Sequence, residues 1–315
     1  MNIKTYLPED EYSGDKIASY ITRCAQLSMV LEVSAFPKPG NVDRDHNYID
    51  TYYEHFMASA IGVYPVIEDA SKSSHGIGKL IKRSVSESVN WQKGGNTHFG
   101  AFILLIPLTM AAGKIMAHKS QFSLNELINC AHDLVKNTDV LDAVDFYESF
   151  RLAGVRVNNV DDFDLQDENS IDSLYEQNIT LYDLMEIAKN YDIVANEWSE
   201  GFNRCSQCAE IIIEKMKNNY NNINNTIVYA FLKILSENKD TFIETKFDTE
   251  TAVYVSTKAS EIISALEEQN TDFESMIPDI QKFDRELLDK KINPGSTADI
   301  TIAGLYIALL GGIRF

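Results

Sequence analysis

The chain has 315 residues, with 28 Lys and Arg against 47 Asp and Glu, so its formal net charge is −19 with histidine neutral. An average field this negative repels phosphate groups, and we therefore expect no nucleic-acid partner and no binding to an anionic membrane. The 44% hydrophobic and 24% charged residues are globular proportions, which exclude a disordered or fibrous chain.

The predicted elements are helices. Apolar residues recur at spacings of three and four, the period of one helix face, from Ile17 until Pro37 interrupts the pattern. Because we find no alternation of strands and helices, no internal repeat and no long linker, we predict an all-α fold with one domain over residues 1–315. The predicted helices span residues 17–33, 51–70, 98–117, 124–136, 139–153, 180–217, 226–236, 249–268, 273–289 and 296–310.

Three helix starts carry residues that cap free backbone amides. The polar, acidic segment 158–170 predicts a loop, with residues 161–168 on the solvated surface. The capping residues are Ser123 or Asn125, Thr180 with Asp183, and Ser296 with Asp299.

The cysteines and the apolar segments indicate a cytoplasmic protein. No signal peptide is visible at the start of the sequence, so we expect reduced thiols. Cys205 and Cys208 have no second cysteine pair and no histidine nearby, which favours a buried structural role over redox or zinc chemistry. The most apolar stretch, residues 99–112, contains Pro107 and is shorter than the roughly 18 residues that span a bilayer. It predicts a buried core helix.

A glycine turn opens that apolar helix. Glycines and capping residues at a helix start leave backbone amides that can bind an anion, so we predict a phosphate cradle; a plain capped glycine turn is the alternative. The preceding segment 72–93 has five basic residues and one acid, whereas segment 139–186 has thirteen acids and two arginines. Each segment alone is typical of a solvated face. The turn comprises Gly94, Gly95, Asn96, Thr97, His98 and Gly100.

A proline-rich loop follows the first helix. Pro37 and Pro39 restrict the backbone on both sides of Lys38, and we expect this stiff loop to present Lys38 to a charged ligand. Farther along, Asp50 and Glu54 are four residues apart on one predicted helix face. Mg²⁺ would relieve their repulsion, although an exposed acidic helix edge explains them equally well.

Three further acids stand near turns or helix starts. Asp142 lies in a segment with Arg151, an arginine that we expect Glu148 to share. Asp240 and Asp299 each follow or begin a turn. Metal binding is one interpretation of these acids, and helix capping or a salt-bridged surface is the other.

In this order, the motifs resemble the triphosphoribosyl-dephospho-CoA synthase family, which supplies the prosthetic-group precursor of citrate lyase and malonate decarboxylase. The resemblance implies an all-helical enzyme that transfers the triphosphoribosyl group of ATP to the 2′-hydroxyl of dephospho-CoA and releases adenine. The matching pieces are Glu32 with Val33, residues 37–43 (PKPGNVD), Phe56 with residues 58–60, residues 95–98 with Gly100 and Ala101, Asp142 with Tyr147 and Arg151, Asp240 with Thr241, and residues 293–299 (NPGSTAD).

The implied chemistry assigns roles to these residues. Carboxylates stabilise an oxocarbenium-like ribose and accept the proton of the acceptor hydroxyl, and magnesium binds the triphosphate. Catalytic roles go to Asp142, Asp240, Asp299 and His98, and metal binding goes to Asp50, Glu54 and Asp142. We also expect His98 to contact the phosphates. The residues expected to bind ATP and a dephospho-CoA-like molecule are Lys38, Pro39, Gly40, Gly94, Gly95, Asn96, Thr97, Gly100, Arg151, Gly295 and Ser296.

Three features depart from the family pattern. Residues 152–156 (LAGVR) stand where the family usually has a Pro-Gly-Gly segment, and residues 244–248 (ETKFD) lack the glycines expected after Thr241. The spacing from Asp43 to Phe56 also differs. Two alternatives therefore stay open beside the transferase. The chain could bind a nucleotide or coenzyme without catalysis, or it could be a nucleotide N-glycohydrolase that uses water as acceptor. The sequence does not reveal an oligomeric state.

Overall fold

A computed structural model describes residues 2–4, 13–154, 169–217, 222–268 and 273–315. Within these ranges the chain is almost entirely helical, which confirms the predicted all-α fold class. Residues 155–168, which include most of the predicted acidic loop, lie outside the described residues. The helices of the first half are α1 (Gly14–Ser34), α2 (Tyr53–Gly62), α3 (Tyr64–Lys72), α4 (Ile77–Trp91), α5 (Phe99–Met116), α6 (Leu124–Lys136), α7 (Val140–Ala153) and α8 (Asn169–Gln177).

The second half continues the helical pattern, followed by a short tail. The helices are α9 (Leu181–Ala188), α10 (Ile193–Ser199), α11 (Asn203–Lys217), α12 (Ile223–Glu237), α13 (Thr241–Lys246), α14 (Thr249–Glu268), α15 (Phe273–Asp289) and α16 (Gly295–Leu310).

Several predicted boundaries are wrong. Segment 51–70 forms two helices because α2 ends at Val63, and Pro65 begins the next helix where it needs no amide partner. Segment 180–217 forms three helices, with Phe202 in the left-handed conformation at φ 59° just before α11. We did not predict α4, α8, α13, or the antiparallel pair of strands β1 (Asn2–Lys4) and β2 (Gln121–Ser123).

The core surrounds two helices that are apolar on every side, α5 and α16. Helix α5 has 18 residues, within the predicted helix of residues 98–117, and is apolar enough to cross a membrane, but 83% of it is buried within the fold. It is therefore a core helix, as predicted. Trp198 of α10 donates to the Ile103 carbonyl at 3.0 Å, and Tyr20 of α1 donates to the Leu310 carbonyl at 3.0 Å. Both central helices are thus held by their neighbours.

The predicted caps have mixed outcomes. Ser123 and Thr180 form capping boxes with Glu126 and Asp183. Ser296 is not a cap, because α16 already begins at Gly295. Its partner in the prediction, Asp299, is free for other contacts.

The cysteine prediction agrees with the structure. Cys205 and Cys208 are free and fully buried in α11. A Cβ atom on Gly304 of α16 would lie 2.5 Å from the Cys208 side chain, so glycine allows the two helices to pack closely here. Burial raises the pKa of the Cys208 thiol to about 12, as expected of an unreactive structural cysteine.

Candidate functional site

The two core helices begin beside each other. Asp299, in the first turns of α16, lies at the N-terminus of α5, where its carboxylate accepts a hydrogen bond from the Ala101 amide. A Cβ atom on Gly100 would lie 2.1 Å from Asp299 Oδ2, so only glycine fits. An internal carboxylate thus occupies part of the helix end at which we predicted a phosphate cradle.

Asp240 lies at the N-terminus of α16, just as Asp299 lies at the N-terminus of α5. This fully buried carboxylate accepts hydrogen bonds from the Thr297 amide and hydroxyl, both at 2.7 Å. It also accepts from the Ile243 amide at 3.1 Å and so caps α13. Beside it, the hydroxyls of Thr241 and Ser296 lie 3.3 Å apart. Asp240 therefore ties two helix starts together.

Three carboxylates in this region act on one another. Burial raises the pKa of Asp299 well above its ordinary value, and the nearby charges of Glu32 and Asp240 raise it further. Burial also raises the pKa of Asp240 to about 6 and the pKa of Glu32. Such raised values suit a group that must take up or release a proton near neutral pH.

Lys38 is placed differently from our expectation. It is 1% exposed and does not project into solvent. Its ammonium group forms a buried ion pair with the Glu32 carboxylate and donates to the Glu32 carbonyl at 3.0 Å. The stiff loop therefore delivers Lys38 to the interior, where its charge partly offsets that of Glu32. Glu32, for which sequence reasoning gave no role, is its partner.

His98 is buried and neutral at the start of α5. Burial, and then the charge of Lys38, lower its pKa to about 3. Its Nδ1 atom lies 2.8 Å from Ser59 Oγ, which accepts a hydrogen bond from Ser88 at 2.8 Å. Its Nε2 atom has no hydrogen-bond partner among the described residues. Thr97 joins the chain of hydroxyls, 3.2 Å from Ser88.

Two backbone amides at the predicted glycine turn already have side-chain partners. The Gly94 amide donates to the Gln92 side chain, and Asn96 Oδ1 accepts from the Phe99 amide at 3.1 Å. Gly95 has φ 71°, a left-handed conformation that favours glycine. A Cβ atom on Gly94 would lie 2.1 Å from His55 Nδ1. The plain capped turn, our alternative, accounts for these contacts.

The glycines of the PKPGNVD and NPGSTAD motifs, Gly40 and Gly295, also allow close packing. Gly40 has φ 74°, and a Cβ atom there would lie 2.3 Å from the Ile292 carbonyl oxygen. The Pro39 carbonyl accepts from the Asn41 side chain at 3.3 Å. Gly295 starts α16, and a Cβ atom on it would lie 3.2 Å from the Phe242 ring.

Asp142 makes different contacts from those of Asp240 and Asp299. Its carboxylate accepts from the Gly78 amide at 2.9 Å and from the Asp139 amide at 3.2 Å, so it caps both α4 and α7. The charges that raise its pKa, after burial, are those of Asp139 and Asp145. Arg151 lies exposed near the end of α7. In the structure Asp142 is therefore a helix cap, and its catalytic and metal roles stay predictions.

The basic segment 72–93 is mostly α4, and its charges meet acids. Lys82 pairs with Asp145 at 2.9 Å and with Glu148, and Arg83 pairs with Asp69 at 2.8 Å. Glu148, which we expected to share Arg151, thus has a lysine partner. The part of the acidic segment that forms α7 packs against α4, so these two stretches are not separate solvated faces.

Asp50 and Glu54 do not share a helix face. Asp50 precedes α2, whose N-cap is Tyr52, and both acidic side chains are exposed. The predicted metal set of Asp50, Glu54 and Asp142 is not among the clusters of ligand atoms in the described part of the chain. A different set of ligand atoms does form such a cluster, and it belongs to Asp43, His46 and Asp284.

Sequence reasoning missed this second set. Asp43 belongs to the PKPGNVD motif, but Asp284 belongs to no motif. A signal was present, because Asp284 stands between Phe283 and Leu287 on the buried face of α15, and a carboxylate on an apolar face needs an explanation.

A cleft of about 390 Å³ opens beside the proline-rich loop. Its size is within the range of small-molecule sites. The lining includes Phe36, Pro37, Arg44, Asn224, Asn225 and Glu274.

Comparisons with a family model and with a solved structure identify relatives of this chain. The CitG family model, described as ATP:dephospho-CoA triphosphoribosyl transferase, matches residues 18–314. The chain belongs to this family. A proposed triphosphoribosyl-dephospho-CoA synthase from Archaeoglobus fulgidus has a similar structure, with a TM-score of 0.63 and 25% sequence identity, over 82% of this chain and 100% of that one. No curated protein matches the chain. The predicted family and the prediction of a transferase enzyme are confirmed.

Proposed function

We propose that the chain transfers the triphosphoribosyl group of ATP to the 2′-hydroxyl of dephospho-CoA and releases adenine. The family match supports ATP and dephospho-CoA as substrates. The observation that carries the site assignment is the position of Asp299, a carboxylate with a raised pKa held between two helix starts. We also propose that the reaction takes place in the cytoplasm, where the four free cysteines stay reduced.

The transfer breaks one bond and forms another. The bond between ribose C1′ and adenine breaks, a bond between C1′ and the acceptor oxygen forms, and the proton of the 2′-hydroxyl finally resides on adenine. A carboxylate beside C1′ stabilises the positive charge that develops on the ribose. A carboxylate with a raised pKa accepts the hydroxyl proton more readily than an ordinary one.

We assign these roles within the group of Asp299, Asp240 and Glu32. Asp299 is half-buried and so can meet substrate, and we assign it the contact with the reacting atoms. Asp240 is fully buried and engaged by three donors, so it positions the start of α16. Glu32 and Lys38 form the pair that sets the local charge.

Magnesium enters this proposal as part of the substrate. ATP binds as its magnesium complex, because phosphate oxygens and one or two carboxylates are the ligands that Mg²⁺ prefers. Neither Asp50 nor Glu54 is oriented by the contacts of the described residues toward such a complex. Phosphate contact by the amides at residues 94–100 remains a proposal, limited by the partners those amides already have.

The test is adenine release from ATP, measured with and without dephospho-CoA. The transferase requires release only with dephospho-CoA, together with a product whose mass equals the two substrates minus adenine. Equal release in both cases would make the protein an N-glycohydrolase. No release in either case, with binding retained, would make it a nucleotide-binding protein.

A matched pair of variants then tests the site. Asp299→Asn should abolish transfer, whereas Asp279→Asn, at an exposed position of α15, should not change it. Full activity in the Asp299→Asn protein would refute the assignment of that residue.

A further inference from the structure

Asp43, His46 and Asp284 form a polar cluster that the transfer reaction does not use. Asp43 ends the PKPGNVD motif, His46 lies in the loop after it, and Asp284 comes from α15. One ligand atom from each residue lies within 4.8 Å of the others. Both aspartates are 1% exposed.

Each aspartate divides its two oxygens between different tasks. Asp43 Oδ1 accepts from the amides of Asp45 and His46 at 2.8 and 3.0 Å. Asp284 Oδ1 accepts from the Gly40 amide at 2.9 Å. The other oxygen of each, Oδ2, is buried with no hydrogen-bond partner in the part of the chain that the structure describes, and so is His46 Nδ1. Buried polar atoms are normally paired, so three orphans in one cluster need an explanation.

The spacing of the cluster fits a bound cation better than direct pairing. His46 Nδ1 lies 3.5 Å from Asp284 Oδ2 and 3.7 Å from Asp43 Oδ1, longer than the roughly 2.7–3.2 Å of a hydrogen bond. Tetrahedral ligands about 2.1 Å from a zinc ion are about 3.4 Å from one another. Hydrogen-bonded oxygens that orient the ligating ones are also usual around metal sites.

We propose that Asp43, His46 and Asp284 bind one divalent transition-metal ion. Two carboxylates and an imidazole are ligands suited to Zn²⁺ or Mn²⁺, and the imidazole favours these over Mg²⁺. The His46 side chain is 31% exposed, so an ion can reach the cluster from solvent. The ion would join the loop that delivers Lys38 to helix α15. The proposal stands without the transfer reaction, because it rests on these ligand atoms alone.

Metal binding by the full-length protein, without any nucleotide, tests the proposal. After removal of metals with a chelator, the protein is dialysed against ZnCl2 or MnCl2 and the bound metal is counted. We expect one equivalent and a rise in the melting temperature as the metal concentration increases. No bound equivalent of either metal would overturn the proposal, and so would a melting temperature that the metals leave unchanged.

Variants locate the ion. Asp284→Asn keeps an Oδ1 acceptor for Gly40 but removes the anionic oxygen, and His46→Gln changes a partly exposed side chain, so both proteins should fold. Each should lower the affinity at least tenfold. Asp279→Asn and His118→Gln, at exposed positions, are the matched controls and should bind like the wild type. An equivalent of metal that survives both cluster substitutions would place the ion elsewhere and refute the site. Adenine release, measured separately, decides the proposed function independently.

Discussion

Two charged regions of this molecule differ in how their charges are balanced. Between α4 and α7, Lys82 meets Asp145 and Glu148, and both oxygens of Asp142 are engaged by backbone amides. Around the starts of α5 and α16, Asp299 lies near the charges of Asp240 and Glu32, and of these three acids Glu32 is the one that pairs with the buried Lys38. Balanced charges hold helices together, whereas unbalanced buried acids cost stability and are kept where chemistry needs them.

The strongest way to test this contrast is Asp299→Asn. The substitution removes a charge that opposes Glu32 and Asp240, so the protein should unfold at the same or a higher denaturant concentration. Transfer should fall by about 10²- to 10⁴-fold, the usual contribution of a positioned acid or base. Adenine release and urea unfolding, both measured beside the Asp279→Asn control, check the two expectations. A protein that loses stability and activity together would indicate a structural role instead.

Lys38→Met tests the other half of the acidic region. It leaves Glu32 buried without its partner, and we expect a loss of about 3–5 kcal/mol in the free energy of unfolding. The double variant with Glu32→Gln should recover most of this loss, because no buried charge remains. Chemical denaturation of the wild type, the two single variants and the double variant gives the coupling energy. A coupling near zero would contradict the buried ion pair.

These variants show what the sequence could and could not predict. Helical periodicity gave the fold class and most helices, because that signal is local. Asp142 and Asp299 look alike in sequence, each an acid near a helix start. Their difference depends on distant partners, Gly78 for one and Gly100 for the other. No local pattern carries that information.

The pH dependence of stability distinguishes Asp240 from an ordinary carboxylate. Its pKa is about 6 in the fold against 3.8 ordinarily, so the folded state binds the proton more tightly. Stability should therefore decrease as pH rises from about 4 to 6, by about 3 kcal/mol for this group. Urea unfolding at several pH values should show this decrease in the wild type and a smaller one in Asp240→Asn. Identical slopes in the two proteins would refute the raised pKa.

Asp142→Asn tests the region between α4 and α7, where the charges are balanced, by changing its most buried acid. We expect a loss of about 1–2 kcal/mol, the usual value for a helix cap, because the carboxylate supports both α4 and α7. Transfer activity should stay close to that of the wild type. The measurements are thermal unfolding and adenine release. A loss of activity with normal stability would return Asp142 to the catalytic role that the family motif implied.

Lys82→Met should have the smallest effect. Lys82, Asp145 and Glu148 have side chains 33%, 27% and 41% exposed, and ion pairs so open to solvent contribute at most about 1 kcal/mol. Salt screens such pairs, so the difference between variant and wild type should shrink further at high ionic strength. Chemical denaturation at low and high salt measures it. If the loss were instead as large as for Lys38→Met and independent of salt, the two regions would not differ in the way that their exposure indicates.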